Sequence, residues 1–273
     1  MRFSVLGSGS RGNATLVAAG ATRLLIDAGF SGRELTRRLA TIGVAPEEVT
    51  AILLTHEHGD HTRGAGVFAR AHGTPLFLTE GTLAACRRLL RGGEDVRTYR
   101  LGYPVEVGDL HVDPFITVHD AADPVAVAVR EPATGLRLGI ATDLGRPTVQ
   151  VKHALRACDA LVVESNHDEA LLWSATYPAA VKARIASSHG HLSNQAAAGL
   201  VLELLSPRLV LVILAHISEE SNDPQLARTV MERALADRGF TGLVKVARPD
   251  RPTPLLDLLR LRESAGPRQL SLF

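Results

Sequence analysis

The sequence predicts an α/β fold in which two β-sheets pack face to face with helices outside. Three observations lead there. Short apolar runs of strand length alternate with runs of helical period along the whole chain, with no long linker between them. The strand runs fall into two groups, and each group is followed by helices. Finally, a chain of 273 residues with 45% hydrophobic and 22% charged residues can fill a core without disulfides. We expect one domain over residues 1–262 and a tail over 263–273.

Arg2–Leu6, Ala14–Ala18 and Arg23–Asp27 read as opening strands separated by glycine-rich turns. Ser31 starts a helix that places Leu35, Leu39 and Ile42 on one face, and Gly43 stops it. Thr50–Leu54 follows as a strand, Gly64–Ala71 as a helix and Pro75–Leu78 as a strand. Thr79 suits the N-cap of a helix reaching about Arg91. From about Arg97 the chain turns β-rich, with Val105–Leu110, Val112–Val118, Val125–Arg130 and Leu136–Thr142. Thr148–Ala157 returns to helix and Leu161–Glu164 to strand. Asn194–Leu205 is an apolar helix, Leu209–Ala215 a buried strand, Pro224–Asp237 a helix and Leu243–Val246 the last clear strand. The pattern ends after about Leu261.

The net charge of +1 asks for neither a nucleic-acid nor a membrane partner, although a local basic patch can hide in a neutral total. Arginine outnumbers lysine 27 to 3, which a GC-rich genome explains as well as phosphate binding does. Cys86 and Cys158 stand far apart, which excludes a disulfide framework and points to a reducing cytoplasm. The opening MRFSVLGSGS lacks a charged stretch followed by an apolar one, so no signal peptide is expected, and no apolar run reaches the roughly 18 residues of a membrane span.

Histidine is the unusual residue, with 11 copies that cluster. His56-Glu57-His58-Gly59-Asp60-His61 follows an apolar strand, so it lies on a loop at a strand's C-terminal end. So many imidazoles and carboxylates repel when charged and leave lone pairs unsatisfied when neutral. A divalent cation removes both problems, and a set of nitrogen and oxygen donors suits Zn²⁺, Mn²⁺ or Fe²⁺. His119, Asp143 and His216 each follow another apolar strand. Alone, each is an ordinary turn residue; together they converge, because strand C-termini of one sheet share an edge.

This order of HxHxDH, His119, Asp143 and His216 resembles the metallo-β-lactamase superfamily over about residues 1–250. The resemblance implies an αββα sandwich of two mixed sheets and two divalent metal ions, Zn²⁺ or Mn²⁺. It gives His56, His58 and His119 to one ion and Asp60, His61 and His216 to the other, with Asp143 between them. It also implies metal-assisted hydrolysis, with Asp60 in the catalytic set. Glu57 is expected to point away. His72, His111 and His153 read as structural or solvated, and the roles of His167 and His189 stay open.

Ser187-Ser188-His189-Gly190-His191-Leu192-Ser193-Asn194, leading through Pro207-Arg208 into the strand before His216, resembles the nuclease branch of that superfamily. Leu161–Glu164 is similar to the acidic-ended strand of the tRNA 3′-end endonucleases. Glu164 is thereby expected to orient His191, and His191 to contact the scissile phosphate or protonate the leaving oxygen. Ser193, at a helix N-terminus, is expected to contact the substrate anion as well as to cap. The strings GSGSRGN (Gly7–Asn13), THEHGDH, HDAADP (His119–Pro124), ATDLG, ESNHD, GHLSN and LAHISEESN (Leu214–Asn222) resemble the YycJ/WalJ group of bacterial proteins. That group is described as 5′→3′ exonucleases of double-stranded DNA, which implies a DNA partner and a place in replication or repair. A thioesterase or lactonase on the same metals is the alternative, and a non-cutting nucleic-acid scaffold a third. Gly7–Asn13 lacks the Lys-Ser/Thr ending of a phosphate-binding loop, and Asn13 with Arg11 is expected to reach substrate phosphate.

The last residues, Gln269-Leu270-Ser271-Leu272-Phe273, resemble the pentapeptide by which bacterial replication and repair enzymes dock on the sliding clamp. There Gln269 would make polar contacts while Leu270, Leu272 and Phe273 fill an apolar cleft. The alternative is an edge strand folded back on the body.

Overall fold

In the computed structural model, which describes residues 1–265, the chain first builds β1 (Arg2–Gly7), β2 (Ala14–Ala19), β3 (Thr22–Ile26), β4 (Ala51–Leu53), β5 (Leu76–Leu78) and β6 (Val96–Thr98). It then builds β7 (Val105–Val107), β8 (Leu110–Ile116), β9 (Val125–Glu131), β10 (Leu136–Ala141), β11 (Ala160–Glu164), β12 (Leu211–Ala215) and β13 (Leu243–Val246). A two-residue β14 (Leu256–Asp257) returns to the first sheet beside β1. Among the described residues these form two seven-stranded sheets, ordered β14-β1-β2-β3-β4-β5-β6 and β13-β12-β11-β10-β9-β8-β7. Each sheet changes from antiparallel to parallel at one strand, β3 in the first and β10 in the second.

Alternation along the strands builds the layers. Leu24 and Ile26 point into the core between the sheets, while Leu25 packs against Leu35, Leu39 and Phe68 on the helical side. In the second sheet Val162 faces inward, and Leu161 and Val163 face Leu155, Leu200 and Val201. Covered on both faces, these strands read as unbroken apolar runs rather than alternating ones. Each fully buried Leu, Ile or Val stabilises the fold by roughly 1.5–3 kcal/mol. The helices Gly32–Thr41 and Asn194–Leu204 start where expected, because Ser31 and Ser193 accept hydrogen bonds from the backbone N–H groups of Glu34 and Ala196.

Three expectations shift. The helix after Thr79 ends at Cys86 rather than Arg91, since Arg87 to Leu89 are exposed and offer no buried face. The helices Glu169–Ser174 and Ala179–Ile185 were not legible, and the second buries no residue at all. A final helix, Leu258–Ser264, runs past the expected boundary at 262, with Leu258 buried against the inter-sheet core. Gln269, Leu270, Leu272 and Phe273, expected to dock on the clamp, lie outside the described residues. No helix among the described residues is long and apolar enough to cross a membrane.

Candidate active site

The C-terminal ends of β3, β4, β8, β10, β11 and β12 deliver their polar residues to one edge of the sandwich. All seven expected ligands meet there. One donor atom from each of His56, His58 and His119 lies within 4.8 Å of the others, and the same holds for Asp60, His61 and His216 and for His56, His61 and Asp143. Asp143 Oδ2 stands 3.1 Å from His61 Nε2, and its Oδ1 stands 3.6 Å from His119 Nε2. His56 Nε2 is buried with no hydrogen-bond partner among the described residues, and Asp143 Oδ2 is buried against the His61 ring nitrogen. A buried polar atom left unsatisfied this way is rare, and both atoms belong to the donor types that take a divalent metal. The residues therefore fit the implied ions.

The electrostatics agree. Burial, helped by the charge of His61, pushes the His56 imidazole well below its ordinary value, which leaves it neutral. Burial would raise the Asp143 carboxyl, but His216 and His61 outweigh it and hold the group well below the usual carboxylate range. Burial would lower His61 and His216, but Asp143 raises both, joined by Asp27 for His61 and by Asp60 and Glu164 for His216. The negative field that draws protons onto these two rings is the field that attracts a cation in their place.

Around the ligands stands a frame of hydrogen bonds. Asp27, directly after β3, accepts from His61 Nδ1 at 2.7 Å and from the Thr55 backbone N–H at 2.8 Å. Asp27 escaped the sequence reading; the signal was an acidic residue directly after a buried strand, the context that marks Asp143 and His216. His119 Nδ1 donates to the Gly190 carbonyl at 3.2 Å. The fully buried Glu164 does more than expected: His191 Nδ1 and His216 Nδ1 both reach its Oε1 at 2.8 Å. The backbone N–H groups of Leu144 and Leu192 donate to its Oε2. Burial would raise this carboxyl, yet His191 and His216 hold it down to about 2. Burial would lower His191, and Glu164 outweighs it and raises the ring.

Backbone strain collects here. Asp27 (φ 62°), Asp143 (φ 58°) and His216 (φ 52°) are three of the four non-glycine residues with positive φ among the described residues. Gly29 permits the close approach that the site needs, since a Cβ there would lie 1.7 Å from the Asp60 carbonyl oxygen.

Two residues expected to meet substrate also carry internal hydrogen bonds. Asn13 is buried: its Oδ1 accepts from Ser8 Oγ and the Gly9 N–H, and its Nδ2 donates to Asp60 Oδ2 at 3.2 Å. Its amide thereby braces Asp60, one of the candidate ligands. Ser193 Oγ accepts from the Ala196 N–H, the capping role expected of it, and donates to Glu169 Oε1. Arg11 pairs with Glu219 at the surface. Glu57 accepts from the Ala122 N–H and stands apart from the ligand groups, as expected. His167 and His189 join none of the ligand groups.

His191 lines a cleft of about 190 Å³ together with His58, Asp60, His119, Asp143 and His216. Arg184 also lines it, held by Asp120 through an Nε–Oδ2 bond of 2.6 Å. No sequence pattern marks Arg184, which sits on Ala179–Ile185, a helix that buries no residue.

Known proteins share the family and the fold. The family model described as Beta-lactamase superfamily domain matches residues 22–217. The chain is 34% identical over 242 residues to exodeoxyribonuclease YycJ of Bacillus anthracis, covering 88% of this chain and 91% of the relative. It is 34% identical over 265 residues to exodeoxyribonuclease WalJ of Streptococcus pneumoniae serotype 2, covering 94% and 98%. The solved structure of the metallo-β-lactamase fold protein YhfI from Bacillus subtilis shares the fold, with a TM-score of 0.72 at 17% identity over 92% of this chain and 98% of that one. With its paired sheets, its edge of histidines and aspartates and a domain match over most of its length, the chain belongs to the β-lactamase superfamily and has the metallo-β-lactamase fold.

Proposed function

We propose that the protein is a binuclear metal-dependent phosphodiesterase that degrades double-stranded DNA from its ends in the 5′→3′ direction, in replication or repair. The observation that carries this reading is the Glu164–His191 pair on the wall of the metal cleft. A cluster of ligands serves any hydrolase of the fold, but a carboxylate-held imidazole beside it suits a leaving oxygen that needs a proton. The names of the relatives from Bacillus anthracis and Streptococcus pneumoniae support the same reading.

His56, His58 and His119 would hold one ion, Asp60, His61 and His216 the second, and Asp143 would face both; Zn²⁺ and Mn²⁺ suit these donors. Bound there, the ions supply Lewis acidity toward the phosphoryl oxygens and a water made acidic enough to attack near neutral pH. The chain's own residues do the rest. Glu164 takes the His191 Nδ1–H, which leaves Nε2–H as the proton donor to the leaving oxygen. Asp27 and Glu164 keep the Nε2 atoms of His61 and His216 aimed into the cluster. The buried free thiols Cys86 and Cys158 suit a reducing cytoplasm. The Gln269–Phe273 peptide would deliver the enzyme to newly replicated DNA by docking on the sliding clamp.

End-labelled duplexes and a chromogenic thioester, each offered with Mn²⁺ or Zn²⁺, test the reading. Mononucleotides released from the 5′ ends are the expected result. Thioester cleavage with intact duplex would replace it with a small-molecule hydrolase.

A further inference from the structure

Behind His191 lies a second recess, of about 350 Å³, within the roughly 300–1,000 Å³ of small-molecule sites. His191 is its shared wall with the metal cleft. Trp173, the only tryptophan of the chain, lines it and is 58% exposed. The half-buried Pro147 adds apolar surface, and the exposed Arg146 stands at the same recess with no carboxylate partner among the described residues. His167 also lines it, and its buried Nδ1 has no hydrogen-bond partner among the described residues. Buried polar atoms in native folds are normally satisfied, so an orphan nitrogen in a recess wall marks a missing partner. An exposed indole, an unpaired guanidinium and an orphan imidazole nitrogen are the parts that take a base, a phosphate and a base edge or sugar hydroxyl.

We propose that this recess binds the nucleoside of the nucleotide whose phosphate lies at His191, with its base stacked on Trp173. The inference rests on the phosphodiesterase reading and names a subsite for it. Because a stacked indole accepts every base, the subsite grips without reading sequence, as an end-degrading enzyme requires.

The single tryptophan makes the subsite directly visible. Zn²⁺-loaded protein is titrated with deoxyadenosine 5′-monophosphate and with deoxyribose 5-phosphate, following tryptophan fluorescence corrected for absorbance. Saturable quenching by the nucleotide and none by the baseless sugar phosphate is expected. Trp173→Ala, at an exposed position that tolerates change, should raise KM for duplex by roughly tenfold and move kcat less, and Trp173→Phe should recover most of the loss. No quenching by the nucleotide, or an unchanged KM in Trp173→Ala, overturns the subsite while duplex cleavage by the native protein leaves the phosphodiesterase reading standing. Quenching by nucleotide in a protein that cuts no nucleic acid would support the recess and overturn that reading instead.

Discussion

The Nδ1 of His61 donates to Asp27 Oδ2 at 2.7 Å, across 34 positions of the chain. The bond keeps a proton on Nδ1 and turns Nε2 toward Asp60 and Asp143, where an ion would displace its proton. Asp27→Ala should weaken metal binding by roughly 10- to 100-fold, the usual effect of losing such a partner. Metal titration by calorimetry checks it, and an unchanged affinity would show that packing alone aims His61.

His58→Ala and Asp60→Ala each open one position in a ligand group. Elemental analysis should find less metal in both variants, and hydrolysis should fall to background. Full metal content with full activity in both would end the ligand assignment.

His191 and Glu164 should part company when mutated. If His191 serves as the proposed proton donor, His191→Ala should keep its metal while kcat falls by roughly 10²–10⁴-fold; because its ring also falls in a group with Asp143, Glu164 and His216 that could hold an ion, loss of metal would make it a ligand instead. Glu164→Gln disturbs His191 and His216 together, because one oxygen serves both rings at 2.8 Å. It should lower kcat and metal affinity at once. If Glu164→Gln kept its metal as well as His191→Ala does, His216 would not depend on that oxygen.

The sequence carried the ligands because they are crowded and chemically costly to place otherwise. His56 to His61 declare themselves within six residues, and His119, Asp143 and His216 follow apolar strands that end at one edge. The strands were legible because burial on both faces makes them continuous apolar runs, as in Ala160–Glu164. What failed to show were parts defined by contact rather than pattern. Asp27 is an ordinary strand-end acid until His61 lies against it. Asn13 reads as a loop amide, and only folding turns its side chain inward to Asp60. Trp173 and Arg184 sit on short helices held by their ends and neighbours, without an apolar stripe to betray them.

Stability should depend on Glu34. Its carboxylate accepts from Arg37 Nε at 2.8 Å and from Arg38 Nε at 2.7 Å. Arg38 is buried, donates to the Leu6 and Pro249 carbonyls and lies over the Phe30 ring. The Arg37 hydrogen bond, against burial and with help from Arg38, holds the Glu34 carboxyl down to about 2. A carboxyl depressed in the folded state stabilises above its unfolded value of 4.5, and that contribution is lost as pH falls toward 2. Glu34→Gln should cost about 1–2 kcal/mol at neutral pH, allowing for solvent screening at a partly exposed site. Urea titrations should show the gap closing over that acid range; a gap constant with pH would assign the loss to packing.

Removal of Gln269–Phe273 should abolish binding to the sliding clamp and leave duplex cleavage by the isolated enzyme intact. The expected Kd of the full chain is micromolar, near −8 kcal/mol. Equal clamp retention by full-length and truncated protein in a calorimetric titration would refute the docking role.

The left-handed backbone at Asp27, Asp143 and His216 sets durability against activity at three functional positions. Each holds an L side chain where glycine would rest more easily, at a penalty of about 1–3 kcal/mol apiece. Selection for heat resistance alone would drift these positions toward glycine, and each such step would erase part of the site. Thermostable variants sought without an activity screen should therefore collect inactive chains with substitutions here, and a hardened enzyme must gain its stability elsewhere.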